Sequence, residues 1–536
     1  MDEATTNDGA PARWRPLPAC SRRDWLRRVL RSAFGAAAAG VLLPWLAAPP
    51  PARAQGSLPT LGDGGELTLA QERELGDRIA RALFRDPAYL DDAPLAELLQ
   101  AVWQPLLAGA RQRGELPDEL AERFAWRLLL GRDPTVNAFA LPGGYFGVHL
   151  GLIGVTQRPE ELASVLAHEL SHVTQRHIAR LLTRQGQQAP LVLAAMILGA
   201  LAASAARNAD IAGAAIAGGQ AVALQGQLNF SRDMEREADR IGLAVLQAAG
   251  FPGHGFIGMF ERLQQSARLN DDGSFPYLRS HPLTTERIAD MRARLGLLPA
   301  TAAAPAPVAD DWHAAMAARA RVLADPSAER LRGHALAPRH DPGSRYGAAL
   351  AATLRRDAGT ALEALDGLET EGSPALHRAA AWLRLEALTR LHDEPALPPA
   401  ERARLPALAR QVLADGTRAG LLLAARAAPY ADAPLVRETA ARLQAWCVQH
   451  PLDAGAWEAL APLQRALGQP LRAGRAEGEA RLAELDLTGA LDRFRATQRL
   501  AGQQHGTDWQ ELAVLDARVR HVEALLREQE AAARRR

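Results

Sequence analysis

The chain has 536 residues, enough for two or more domains with substantial cores. A formal net charge of +1 removes any bulk electrostatic case for a nucleic-acid partner. All 62 basic residues are arginine, which excludes chemistry through a lysine amine, and 48% hydrophobic content with only 5% aromatics points to a mostly helical protein.

The first segment reads as an address. SRRDWLRR (Ser21–Arg28) precedes an Ala-rich apolar run (32–48) and ARA at 52–54. That is the positive, apolar and small-residue order of a signal peptide over residues 1–54. Arg22 and Arg23 give it a twin-arginine look, with an ordinary secretory signal or an uncleaved anchor as alternatives. The apolar run is short for a membrane span and broken by Pro44, which favours cleavage after Ala54. Cleavage removes Cys20 and leaves Cys447, which cannot form an intrachain disulfide alone.

Residues 55–298 read as one unit. TVNAFALPGGYFGVHLGLI (135–153) alternates and turns at Gly143-Gly144, predicting a small hairpin or edge strand. An edge strand beside a catalytic helix binds extended peptide by main-chain pairing, and Asn137 is the side chain expected to touch it.

SVLAHELSHVTQRHIARL (164–181) carries H-E-x-x-H at His168, Glu169 and His172. Residues four apart on a helix lie one above the other, so both imidazoles can present nitrogens to one Zn²⁺, with Glu169 placed to act as general base. Leu162, Leu166, Leu170 and Val173 supply the core stripe, and Pro159, Glu160 and Glu161 suit a first turn. His177 falls off the ligand face and reads as structural or solvated. Gln175 and Ile178 stand where a metzincin needs glycine and a third histidine. The bland alternative is two histidines sharing a helix face by chance.

Small and apolar residues fill 189–226. Helices packed over the site, touching the membrane surface, are expected there in preference to a hairpin through the bilayer. NFSRDMEREADRIGLAVLQAAGF (229–251) then offers Glu235 as third ligand. Asp239, one turn on, can accept the free ring N–H of a ligating histidine, whereas Glu237 reads as a solvated charge. His281 precedes Pro282 in a loop; it reads either as a loop histidine without metal contact or, in the favoured reading, as one that approaches the metal in one of two roles. It can stabilise an oxyanion, or fill the fourth metal position and keep the site latent. Arg287, six residues on, is a second residue expected to contact substrate.

PATAAAPAPVADD (299–311) reads as a Pro/Ala spacer. Residues 312–536 read as helices only, recurring at the scale of tetratricopeptide repeats, with an unrelated helical bundle as alternative. The clearest pair is 453–482, with 344–368 and 486–497 as further candidates.

HELSH (168–172), EREAD (235–239), VNAFALPGG (136–144) and SHPLTTER (280–287) together resemble the zinc metallopeptidase family of CAAX prenyl and HtpX-like proteases. The order of signal peptide, catalytic domain and repeats is similar to that of its periplasmic branch. The resemblance implies a mainly α protein: an α+β, gluzincin-like domain with a small sheet, then helical repeats. It implies one Zn²⁺ per chain on His168, His172 and Glu235, with Glu169 catalytic. It further implies a periplasmic enzyme acting on misfolded or misassembled outer-membrane proteins, with the repeats engaging the outer-membrane assembly machinery. Three readings stay open: an active endopeptidase, a chaperone or scaffold with a latent site, and an integral membrane protease.

Overall fold

The computed structural model describes residues 67–185, 231–269, 275–296, 306–501 and 508–534. The signal-like segment, the apolar stretch 189–226 and most of the Pro/Ala spacer lie outside the described residues.

The N-terminal part opens with α1 (Leu69–Phe84), α2 (Ala93–Gln112) and α3 (Asp118–Arg123). Strands β1 (Arg127–Gly131), β2 (Ala138–Leu141) and β3 (Tyr145–His149) follow. Next come α4 (Leu150–Val155), α5 (Pro159–Thr174), α6 (His177–Gln185), α7 (Arg232–Ala248), α8 (Gly255–Leu269), α9 (Pro276–Ser280) and α10 (Thr285–Gly296). The protein is mainly helical with one small sheet, as its composition and motifs predict.

The sheet order is β1-β3-β2, with β1 parallel and β2 antiparallel to β3, so β2 is an edge strand. Its hairpin turns where expected, at Gly143 and Gly144, whose φ angles of 74° and 79° suit residues without a Cβ. His149 donates its N–H to Asn137 O at 3.0 Å. The register then pairs Phe139 with Gly147 and Leu141 with Tyr145. Antiparallel alternation therefore turns the main-chain groups of Ala138 and Ala140 away from β3, on the side where Glu169 Oε2 takes the Ala140 N–H.

Helix α5 is the centre of this half. Pro159 sits in its first turn beside Glu160 and Glu161, and every residue from Pro159 to Val173 is buried. A helix buried on all faces needs neighbours on all faces, and α7, α8, α2 and β2 provide them. Helix α7 starts at Ser231, whose hydroxyl accepts from Met234 N at 3.3 Å. It approaches α5 closely at Gly242, where a Cβ would stand 3.2 Å from the backbone of Ala167. That approach sets the N-terminal turns of α7 against the C-terminal turns of α5.

From residue 306 the chain differs from the spacer-and-domain expectation. Helix α11 (Asp310–Ala324) packs directly on α4 and on the helix Pro342–Leu354. One hydrophobic core runs from Ala93 to Ala480. Two arginine clamps, one buried and one half-buried, also join the two parts. Asp92 takes the Arg319 guanidinium in two bonds of 2.7 Å, and Glu386 takes its third nitrogen at 2.9 Å. Asp91 takes Arg418 at 2.9 and 2.6 Å, and Asp453 takes the same arginine at 2.8 and 2.9 Å.

The C-terminal helices form consecutive antiparallel pairs, among them Pro342–Leu354 with Ala358–Leu365 and Ala454–Ala466 with Pro470–Ala483. These fall on the segments whose patterns suggested repeats. Trp457, Leu460, Ala461, Ala473 and Ala480 are buried between such helices, as is Cys447.

Candidate metal centre

Helix α5 delivers His168, Glu169 and His172; α7 delivers Glu235 and Asp239; the residue ending α9 delivers His281. One donor atom each from His168, His172, Glu235 and His281 lies within 4.8 Å of all the others, and all four side chains are buried. His168 Nε2 is 3.0 Å from His172 Nε2 and 3.3 Å from His281 Nδ1. Glu235 Oε1 is 3.5 Å from His172 Nε2 and 3.0 Å from His281 Nδ1. Four ligands on a tetrahedral ion at 2.0–2.1 Å stand about 3.3 Å apart, so these spacings fit a metal of zinc's size.

The electrostatics agree. Burial opposes charge on His168, but its contacts with Asp239 and Glu235 win and raise its pKa to about 9. His172 is held well below the ordinary imidazole value by burial and by the charge on His168. Burial works against ionised Glu235, yet His281 and His168 keep its carboxyl well below the usual range. Buried lone pairs and a carboxylate converge on one point and favour a cation there.

Glu169 faces the same point from the side of the sheet. Its Oε2 accepts the Ala140 N–H at 3.0 Å, and its Oε1 lies 3.4 Å from His281 Nε2. Burial pushes this carboxyl's pKa up, against the pull of His281 and His168, which suits a group that must take and return a proton. The His281 ring stacks on Tyr277 at 4.8 Å, and Tyr277 N–H donates to Val136 O at 3.4 Å. His281 is thus held among the donors, at the fourth position, by a short helix tied to the chain just before β2.

Behind the donors, Asp239 Oδ1 lies 3.0 Å from His168 Nδ1. Arg287 differs from its expected role as a substrate contact. It forks onto Asp239 at 2.7 and 2.8 Å, and its remaining nitrogen reaches Glu235 Oε2 at 2.8 Å and Pro282 O at 3.0 Å. It is 6% exposed and spends its donors holding the two carboxylates. Asn137 is buried at the head of β2, and its Oδ1 has no hydrogen-bond partner among the described residues.

Of its two expected roles His177 takes the structural one, whereas Glu237 differs from a solvated charge. His177 is fully buried, with Nδ1 2.9 Å from His172 Nδ1 and Nε2 3.0 Å from Glu237 Oε2. Glu237, expected to be solvated, also holds Arg180 at 3.0 Å. α5 ends at Thr174 and Arg176 adopts φ 52°, which swings His177 back beneath His172.

Residues 106–295 match the profile of Peptidase family M48. A Vibrio cholerae relative is 38% identical over 269 residues, covering 50% of this chain and 52% of that protein. The beta-barrel assembly-enhancing proteases of Yersinia pestis and Escherichia coli K12 are 34% and 33% identical, covering 45% and 44% of this chain and 48% and 47% of theirs. The mitochondrial metalloendopeptidase OMA1 of Saccharomyces cerevisiae is 29% identical over 207 residues, covering 37% of this chain and 55% of that protein. The chain spans about half the length of the curated relatives it matches. The match falls on the helices that carry the buried cluster, and residues 106–295 of this chain form a Peptidase family M48 domain.

Proposed function

We propose that the chain is a zinc-dependent endopeptidase of the periplasm that cleaves misfolded or stalled proteins during outer-membrane assembly. The carrying observation is the buried group of His168, His172, Glu235 and His281 with Glu169 beside it. His168, His172 and Glu235 would hold the ion, and two imidazoles with a carboxylate favour zinc over harder metals. When bound, zinc supplies Lewis-acid polarisation and acidifies water. Glu169, with its raised pKa, accepts a proton from the attacking water and passes it to the departing amine. Asp239 and Arg287 hold His168 and Glu235 in place. The open edge of β2 pairs with an extended peptide, reading main chain rather than side chains, and the unpartnered Asn137 Oδ1 supports a substrate contact at its start.

The names of the relatives support a role in β-barrel assembly, with the helical pairs after residue 306 as the surface for the assembly machinery. The signal-like residues 1–54 support export. His281 at the fourth position favours a second reading, a scaffold whose protease is normally closed.

The test is metal content of the chain from residue 55 onward, with casein cleavage recorded on the same samples. One zinc per chain, lost in Glu235→Ala, together with cleavage lost in Glu169→Gln, is the expected result. A Glu169→Gln chain that still supports outer-membrane assembly in cells would favour the scaffold. No zinc in the unaltered chain would end the peptidase reading.

A further inference from the structure

The backing of the second ligand histidine is built differently from that of the first. His168 leans on a carboxylate directly, through Asp239 at 3.0 Å. His172 points Nε2 at the donor cluster and Nδ1 the other way, 2.9 Å from His177 Nδ1. His177 in turn presents Nε2 to Glu237 Oε2 at 3.0 Å. We propose that His177 and Glu237 are positioning residues that fix the tautomer and ring angle of His172 as a metal ligand. The inference rests on the metallopeptidase reading of the site.

The proton count leaves one arrangement. Two ring nitrogens 2.9 Å apart share a single hydrogen. A ligating His172 must keep Nε2 bare, so its proton sits on Nδ1 and is donated to a bare Nδ1 of His177. The His177 proton is then on Nε2 and is donated to Glu237. Each ring has one tautomer available, and a carboxylate two residues from Glu235 is coupled to His172 through an intervening imidazole. Arg180 shares the same Glu237 oxygen at 3.0 Å and holds that carboxylate in place. The chain reaches this geometry by spending a left-handed residue, Arg176 at φ 52°, at the end of α5.

The test separates an acceptor from a space-filler. The amide oxygen of asparagine occupies the place of Nδ1, so His177→Asn keeps the acceptor while His177→Phe keeps only the bulk. Zinc affinity is measured on the full chain by competition with a chelator, alongside thermal unfolding of the metal-free samples. The visible spectrum of the Co²⁺-loaded chain reports ligand geometry. His177→Phe is expected to bind zinc about 10- to 100-fold more weakly. His177→Asn should stay within a few-fold of the unaltered chain, with its Co²⁺ spectrum, and Glu237→Gln should fall between them. Phe binding as tightly as the unaltered chain, or Asn as weakly as Phe, overturns the proposal. A chain that takes up no zinc through Glu235 takes down the metallopeptidase reading first, and this inference with it.

Discussion

Replacing His281 by alanine is expected to open the site. In the structure His281 Nδ1 stands 3.0 Å from Glu235 Oε1 and 3.3 Å from His168 Nε2, where a fourth ligand would sit, and Nε2 faces Glu169 at 3.4 Å. A substrate carbonyl needs that place, so cleavage requires His281 to leave. Taking the closing interaction of His281 as equal to one hydrogen bond to a charged group gives about 1.5–3 kcal/mol. At 1.36 kcal/mol per tenfold, that closure hides all but about one part in 10 to one part in 150 of the molecules. His281→Ala should therefore raise casein cleavage by roughly 10- to 150-fold, with Glu235, His168 and His172 still holding the metal. The assay is initial rate on labelled casein, with zinc measured on the same protein. A fall in rate at full zinc occupancy would refute the closure and assign His281 to the oxyanion.

Three other perturbations test the frame around the site. His313 is fully buried, donates its Nε2–H to Thr156 Oγ1 at 3.0 Å, because that hydroxyl gives its own hydrogen to Ile153 O, and has no partner for Nδ1 among the described residues. Burial lowers its pKa from 6.5 to about 4, so between those values the unfolded chain binds the extra proton and stability is lost as pH falls. Urea unfolding should show about 2 kcal/mol less stability at pH 5 than at pH 7.5, and His313→Gln should remove that part of the slope. Asp92→Ala strands the buried Arg319 and also removes the cap on Leu95 N at 3.1 Å, for a loss of about 3–5 kcal/mol in urea unfolding. The double variant with Arg319→Met should recover part of it; no recovery would mean the clamp carries no desolvation penalty. Gly76→Ala puts a Cβ 2.0 Å from Pro142 O in the β2–β3 turn. It should cost about 1–3 kcal/mol and lower casein cleavage by displacing β2, and an unchanged cleavage rate would separate β2 from substrate binding.

What the sequence made legible was whatever repeats along one element. The i,i+4 spacing of His168 with His172, and of Glu235 with Asp239, survives in the structure because α5 and α7 are regular helices. The hairpin was legible from Gly143-Gly144 for the same local reason. His177 was not, because one left-handed residue resets the direction of every side chain after it. Glu237 lies off the donor side of its own helix, and nothing local says that α6 waits there with His177 and Arg180. Arg287 was misassigned because its partners, Asp239 and Glu235, are known only once α10 has docked against α7.

The same tertiary device recurs among the described residues, and it gives the all-arginine composition a structural use whatever its origin. Arg287 bridges Asp239 and Glu235 behind the donor cluster. Arg319 bridges Asp92 and Glu386, and Arg418 bridges Asp91 and Asp453, where the catalytic half meets the helices that follow it. In each case one guanidinium satisfies two carboxylates, which its planar fork can do and a lysine point charge cannot do with the same geometry. Two of those clamps start from adjacent residues just before α2, the helix that packs against α5 and α7. Asp91 and Asp92 thus tie the first turn of α2 to the helices after residue 306, and of the two clamps the Asp92–Arg319 pair is the buried one whose loss is costly.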